Sequence, residues 1–415
     1  MANATPAMTL AAVLFGTALH AAEPSMIFLT TPKPHQVVQR IGFDPLLAAK
    51  EKPGSPAFGY ADVSVAADFG KGTEVWEYRT NLLADATGTE VAWTKFRPRD
   101  GVASLRIPAG GWYRLEIRGR DKEVVTFKGS VEPVGVGEVF LVAGQSYATN
   151  CNDERFKVAE PQGRVSAFNT AKETWVIAQD PQPVPDGSDG GSIWPPLGDA
   201  LCKEFRVPIG FANVAWGGTS SAQWLPQGEL HPRLVKAGKS LGQFRAVLWQ
   251  QGESDVIAKT ITVKYVENLQ MIRAAAAKGS GVDAPWLLAK STLHPTVYND
   301  PPGEERIRKG IDELTKLSGF RAGPDTDTLK GENRGDAKSR RHFSGIGQKR
   351  AAEMWFEVLK RELNSPRPLC ETVSELKLLE PVWTSPVVNR ESSVLLRLQA
   401  GPITARLAFP AAEIL

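Results

Sequence analysis

Cysteine and histidine are both scarce in this chain of 415 residues. The three cysteines, Cys151, Cys202 and Cys370, form no CxxC pair, which excludes a zinc ribbon and a disulfide scaffold. Five histidines with no His/Cys cluster give no metal site, and no cofactor is expected. Charge of one sign is also missing. Lys and Arg number 49 against 46 Asp and Glu, a net charge of +3 spread along the chain, so nothing points to nucleic acid. After the first twenty or so residues no long apolar run occurs, and no membrane span is expected. What is present is a hydrophobic fraction of 42%, enough to exclude wholesale disorder. The length suits two or three domains of ~100–200 residues each.

Residues 1–22 read as an export signal. Met8 to Leu19 is mostly apolar and is followed by His20-Ala21-Ala22. No Lys or Arg precedes Lys33, so the basic n-region is absent. The competing reading is a buried N-terminal strand or helix. With the signal, the protein is expected to be exported, periplasmic or secreted, and four histidines remain: His35, His231, His294 and His342.

Residues 27–135 carry period-2 runs such as Ala61 to Val65 and Trp112 to Arg118, separated by Gly/Pro turns. They predict an antiparallel β-sandwich domain. Residues 136–365 change pattern. The apolar runs Val139–Ala143, Ile209–Ala215, Ala246–Trp249 and Trp286–Ala289 alternate with helical stretches at Lys264–Lys278, Ile307–Leu317 and Ala351–Leu363. That order predicts an α/β domain, a parallel sheet with helices on both faces. Residues 366–415 form a β-rich tail too short for its own core, expected to dock on another domain.

In such a sheet, ligands bind at the carboxyl ends of the strands. The first three runs end in Gly144-Gln145-Ser146, Trp216-Gly217-Gly218 and Gln250-Gln251-Gly252-Glu253. Ser146 on a strand-to-helix turn offers a nucleophilic Oγ together with its own N–H. The N–H of Gly217 or Gly218 and the Gln251 side-chain amide can join it around an oxyanion. Gln145 and Glu253 are candidate supports, or caps of the following helix. The serine needs a base. His342 sits in the loop before the last long helix and can reach the same edge. His294, after the Trp286 run, is its competitor, while His35 and His231 read as surface and structural.

These residues carry a resemblance. Gly144-Gln145-Ser146, Trp249 to Asp255, Gly323 to Asp327 and His342-Phe343-Ser344 resemble the sialate O-acetylesterase branch of the SGNH (GDSL-like) hydrolases. The resemblance implies a flavodoxin-like catalytic domain and a serine esterase that removes acetyl groups from carbohydrates. By position, it implies Ser146 as nucleophile, His342 as base, and Ser146, Gly217 or Gly218, and Gln251 as the oxyanion hole. Two positions depart from the pattern. Tyr147 stands where the family has Asn. Ser339 stands where the triad carboxylate is usual, three residues before the histidine. Asp336, Glu253 or no carboxylate at all are the remaining choices. Trp194, Trp216 and Trp224 are candidate sugar platforms, or packing residues. His294, Asp325, Asp327 and Arg334 are candidate polar contacts, or fix the loop that carries His342. Cys151 and Cys202 are a candidate disulfide. Two alternatives stay open: a glycan-binding module without turnover, and another serine hydrolase of lipase or thioesterase type. A long apolar groove would favour the latter.

Overall fold

Side chains of Val139–Ala143 alternate between two cores. Phe140 and Val142 pack with Leu197, Leu201, Ala351 and Trp355. Val139, Leu141 and Ala143 pack with Leu234, Leu269 and Ile307. A strand buried on both faces must be apolar throughout, which is why this run shows no polar alternation. In the computed structural model, which describes residues 23–70, 73–335 and 341–365, the run is the end of one strand, Val124–Gly144. The segment 1–22, Asp336 and the tail 366–415 lie outside the described residues.

Six strands run parallel in the order Val165–Asn169, Ile209–Asn213, Val124–Gly144, Ala246–Gln250, Trp286–Lys290 and Phe320–Asp325. Thr174–Ile177 adds an antiparallel edge. The helices Trp194–Phe205 and Gly345–Leu363 cover one face. The helices His231–Leu241, Thr262–Ser280 and Pro301–Leu314 cover the other. The four runs read as buried strands and the three stretches read as helices are all found.

Most of the N-terminal strands join the same sheet as the parallel strands. The first half of Val124–Gly144 pairs antiparallel with Gly110–Asp121 and parallel with Gln36–Gln39. Gly110–Asp121 then pairs with Val75–Thr87, and that strand with Val91–Phe96. Among the described residues one mixed sheet of twelve strands therefore runs through both parts of the chain, and the expected boundary at 135/136 falls inside a single strand. A smaller antiparallel sheet, Leu29–Thr31, Tyr60–Ala67 and Val102–Pro108, lays Val63, Val65, Leu105 and Ile107 into the same core as Leu115 and Ile117.

A buried charge cluster marks the junction. Glu138 is wholly buried, with Oε1 2.7 Å from Arg40 Nε and Oε2 2.7 Å from Arg245 Nε. Gln39 donates to Oε2 at 3.0 Å. The three charges come from separate stretches of the chain: Arg40 follows Gln36–Gln39, Glu138 lies within Val124–Gly144 and Arg245 precedes Ala246–Gln250. Among the described residues no helix is long and apolar enough to cross a membrane.

Candidate active site

Val124–Gly144 ends where Gly144 takes a positive φ of 136°. A Cβ there would stand 2.1 Å from the Gln250 carbonyl oxygen, so only glycine lets the two strand ends close together. Gln145 N–H then donates to that carbonyl at 3.0 Å, and Ser146 opens a short 3-10 turn, Ser146–Ala148. The turn is braced from beneath, where the wholly buried Trp194 donates Nε1–H to the Ala148 carbonyl at 2.8 Å. The neighbouring turn is braced in the same way. Trp224, also wholly buried, donates to Thr219 Oγ1 at 3.1 Å, and Thr219 Oγ1 donates to the Trp216 carbonyl at 2.7 Å.

Above these turns lies an open cavity of about 560 Å³. Ser146, Gly217, Gly218, His342 and His294 all line it, as do Gln145, Cys151, Ser220, Gln223, Ser254, Ile257, Ala258, Val297 and Arg341. The candidate nucleophile, the candidate glycine donors and both candidate bases are thus brought together at the carboxyl ends of the parallel strands.

His342 is held through its backbone. Gly335 N–H donates to its carbonyl at 2.9 Å, and Phe343 N–H donates to Asn152 Oδ1 at 3.1 Å. Tyr147 links both histidine loops to the nucleophile turn. Its ring lies 5.2 Å from the His342 ring and 6.1 Å from the His294 ring. Its hydroxyl lies against the carbonyls of Arg341 and Leu293 and accepts from Arg334 Nη1. Burial pushes the His294 imidazole down to about 4, with the charges of Arg341 and Arg334 adding to it, so His294 is neutral at pH 7.

Several expected contacts lie elsewhere. Gln251 does not line the cavity. It is wholly buried, and Nε2 is committed to Asp255 Oδ2 at 2.6 Å, the Thr219 carbonyl at 3.1 Å and Gln145 Oε1 at 3.3 Å. Gln145 instead reaches the rim, and its Oε1 accepts from Ser254 N–H at 3.0 Å, tying the Ser146 turn to the next strand end. Trp194 and Trp224 are core braces rather than sugar platforms. Trp216 is half-buried with the Arg233 guanidinium 4.1 Å over its ring, and it too is off the cavity. Asp325 and Asp327 pair with Arg308 at 2.6 and 2.7 Å. Asp327 also accepts from Thr292 and Leu293 N–H at 2.7 and 2.9 Å, which fixes the loop bearing His294. Arg334 is buried and donates to the Leu329 and Thr326 carbonyls, at the stem of the loop that returns to His342. Cys151 and Cys202 are both free thiols, the second inside a helix.

Glu253 is wholly buried and off the cavity. Ser291 Oγ donates to its Oε1 at 2.5 Å, and Oε2 has no partner among the described residues. Burial pushes its carboxyl up to about 8, so it carries a proton at pH 7.

Sequence reasoning missed Asp186, Asn150 and the aliphatic lining. Asp186 Oδ2 accepts from Gly217 N–H at 3.1 Å. Ile257, Ala258 and Val297 are apolar residues lining the cavity, with Ile257 53% and Val297 46% exposed, and no Trp, Tyr or Phe is among the described residues lining it. No period or motif announces these residues, because they come from loops and one short helix.

Residues 136–290 match the family described as carbohydrate esterase, sialic acid-specific acetylesterase. The match holds Ser146, Gly217, Gly218, Gln251 and Glu253; His294 and His342 lie beyond it. The resemblance to carbohydrate esterases expected from the motifs is the one found. Solved structures similar to this chain include a carbohydrate acetylesterase from Xanthomonas citri, at 16% identity and a TM-score of 0.48, covering 80% of this chain and 75% of that one. A protein from Arabidopsis thaliana is 19% identical with a TM-score of 0.43, over 56% of this chain and 99% of its own. A family two carbohydrate esterase from Cellvibrio japonicus is 13% identical with a TM-score of 0.36, over 81% and 97%. No curated protein matches the sequence.

Proposed function

We propose that the protein is a serine esterase that removes O-acetyl groups from carbohydrates. The observation that carries this reading is the single cavity shared by Ser146, Gly217, Gly218 and His342 at the carboxyl ends of the parallel strands. In this reading Ser146 Oγ attacks the acetyl carbonyl while His342 takes its proton. The N–H groups of Ser146 and of Gly217 or Gly218 receive the oxyanion. As the tetrahedral intermediate collapses, His342 returns the proton to the departing sugar hydroxyl. Water, deprotonated by the same imidazole, then releases acetate from acetyl-Ser146. His294, neutral and beside His342 with ring centres 5.9 Å apart, helps set the shape of the base's side of the cavity. Asp336 stays the candidate to orient His342; Glu253, protonated at pH 7, is poorly suited to stabilise an imidazolium. An export signal at residues 1–22 would place the reaction outside the cytoplasm, where acetylated sialic acids and polysaccharides are met.

The test is acetate release from acetylated sialic acid, xylan and peptidoglycan fragments. Wild type should turn over at least one of them, and Ser146→Ala none. Equal inertness of the two on every substrate, a small aryl acetate included, refutes the reading.

A second reading is favoured by the apolar lining residues Ile257, Ala258 and Val297: an ester with a longer apolar acyl chain. Each buried CH₂ is worth ~0.8 kcal/mol, roughly fourfold in kcat/KM. Over aryl esters from acetate to octanoate, a steady rise supports this second reading. A fall after acetate supports the acetylesterase.

A further inference from the structure

The N–H of Gly217 already points at an anion. Asp186 Oδ2 accepts from it at 3.1 Å. The point where a Cβ on Gly217 would stand lies 3.4 Å from that oxygen and 3.7 Å from Ser146 Cβ. The carboxylate and the methylene of Ser146 therefore both lie close to Gly217.

The carboxylate is delivered there by its own turn. Its other oxygen, Oδ1, accepts from Ser188 N–H at 3.0 Å and Ser188 Oγ–H at 2.7 Å. Gly187, between the two residues, takes a φ of 72° with open space around it. The turn is moored to the segment that carries the nucleophile. Asn150 Nδ2 donates to the carbonyls of Gln182 and Ser188 at 2.8 and 3.0 Å, and Asn150 N–H donates to Ser188 Oγ at 3.1 Å. At the far end, Asp180 accepts from Ser192 N–H and Oγ–H at 2.8 and 2.6 Å. The loop 180–192 is thus fixed at both ends and held to Asn150 along its length, with Asp186 placed against Gly217 N–H.

One N–H cannot serve two strong acceptors in line. A hydrogen bond to a charged oxygen is roughly twice as strong as one to a neutral carbonyl. An ester carbonyl in its ground state is therefore the weaker claimant for Gly217 N–H, and only the developing oxyanion matches the carboxylate. We propose that Asp186 is a stopper seated on the acyl-oxygen donor beside Ser146, which the reacting ester displaces as its charge develops. The proposal rests on the reading of Ser146 as the nucleophile. Its consequence is selectivity: an ester held well enough to push the turn aside reacts, whereas a small ester that binds weakly is kept slow.

The experiment compares wild type, Asp186→Asn, Asp186→Ala and Ser188→Ala. Two readouts are taken: the second-order rate of phosphonylation by a small aryl phosphonate, and kcat/KM on a small aryl acetate. Alanine should raise both by about tenfold or more, since it removes a charge-assisted acceptor. Asparagine, which keeps a neutral acceptor, should fall between. Ser188→Ala loosens the turn without touching the donor, and should raise both rates by a smaller factor. A purely structural Asp186 predicts the opposite sign. Phosphonylation of Ser146 in every protein, with Asp186→Ala no faster than wild type, overturns the stopper and leaves the esterase reading standing. Absence of phosphonylation in wild type and variants overturns both.

Discussion

Replacing Glu138 with glutamine tests the junction at which the two parts of the chain share one sheet. The carboxylate is wholly buried between Arg40 and Arg245, and both contacts are 2.7 Å. Burial alone would push its carboxyl up. The charges of Arg245 and Arg40, with hydrogen bonds from Arg245 and Gln39, outweigh that and hold it at about 2, against an ordinary 4.5. Burial pulls Arg40 down from its usual value, yet arginine stays protonated in proteins. The variant therefore leaves two guanidinium charges buried with no anion. At about 1.4 kcal/mol per unit, the displacement from 4.5 to about 2 is worth about 3 kcal/mol, near the low end of the ~3–5 kcal/mol seen when one partner of a buried ion pair is removed. The sign follows from the lowered value. The contribution is fully present above pH 4.5 and is lost as pH falls toward 2. Urea unfolding at pH 7 should show Glu138→Gln about 3 kcal/mol less stable than wild type, with the gap closing between pH 4.5 and 2. Asp62→Asn, which breaks the exposed Arg106–Asp62 pair, is the control and should cost under ~1 kcal/mol. A Glu138→Gln loss below 1 kcal/mol at pH 7, or a gap that does not close in acid, refutes the reasoning.

Two further outcomes concern His294 and Trp224. NMR titration should find His294 neutral down to about pH 5, because burial holds it near 4. His294→Ala should then leave the rising limb of the pH–rate profile in place, and loss of that limb would move the base from His342 to His294. Trp224→Ala should cost ~3–5 kcal/mol of stability, as for a large buried aromatic, with KM little changed at a temperature where it is folded; a raised KM at unchanged stability would put the indole against substrate.

The α/β architecture was legible because its strands are buried on both faces. Val139–Ala143 or Ala246–Trp249 can be nothing but core, and the helices between them repeat their apolar residues every three to four positions. The other two sheet members, Val165–Asn169 and Phe320–Asp325, escaped notice. The first is short, and the second is an edge strand containing Gly323 and Pro324, which read as a loop. The boundary between the two parts was drawn at a change of pattern in the sequence, whereas the backbone carries that change within a single strand. At the site, Ser146, Gly217, Gly218, His294 and His342 could be anticipated as strand-end residues of the right chemistry. The tryptophans could not be placed. An indole near a strand end in sequence can brace the turn from beneath or face the cavity, and Trp194 and Trp224 brace. Gln251 shows the same ambiguity, since an amide suited to an oxyanion is equally suited to the Thr219 carbonyl and Asp255. Asp186 lies in a loop of Pro, Gly and Asp whose composition says turn and nothing about where the turn points.

The most direct test of the central claim is to find where the acyl group goes. The protein is mixed with an aryl acetate, quenched in acid within the first turnovers, and its peptides are mapped by mass spectrometry. The account predicts an acetyl group on the peptide bearing Ser146, absent from Ser146→Ala. Acetate release that proceeds with the acetyl group on another residue, or undiminished in Ser146→Ala, would contradict it.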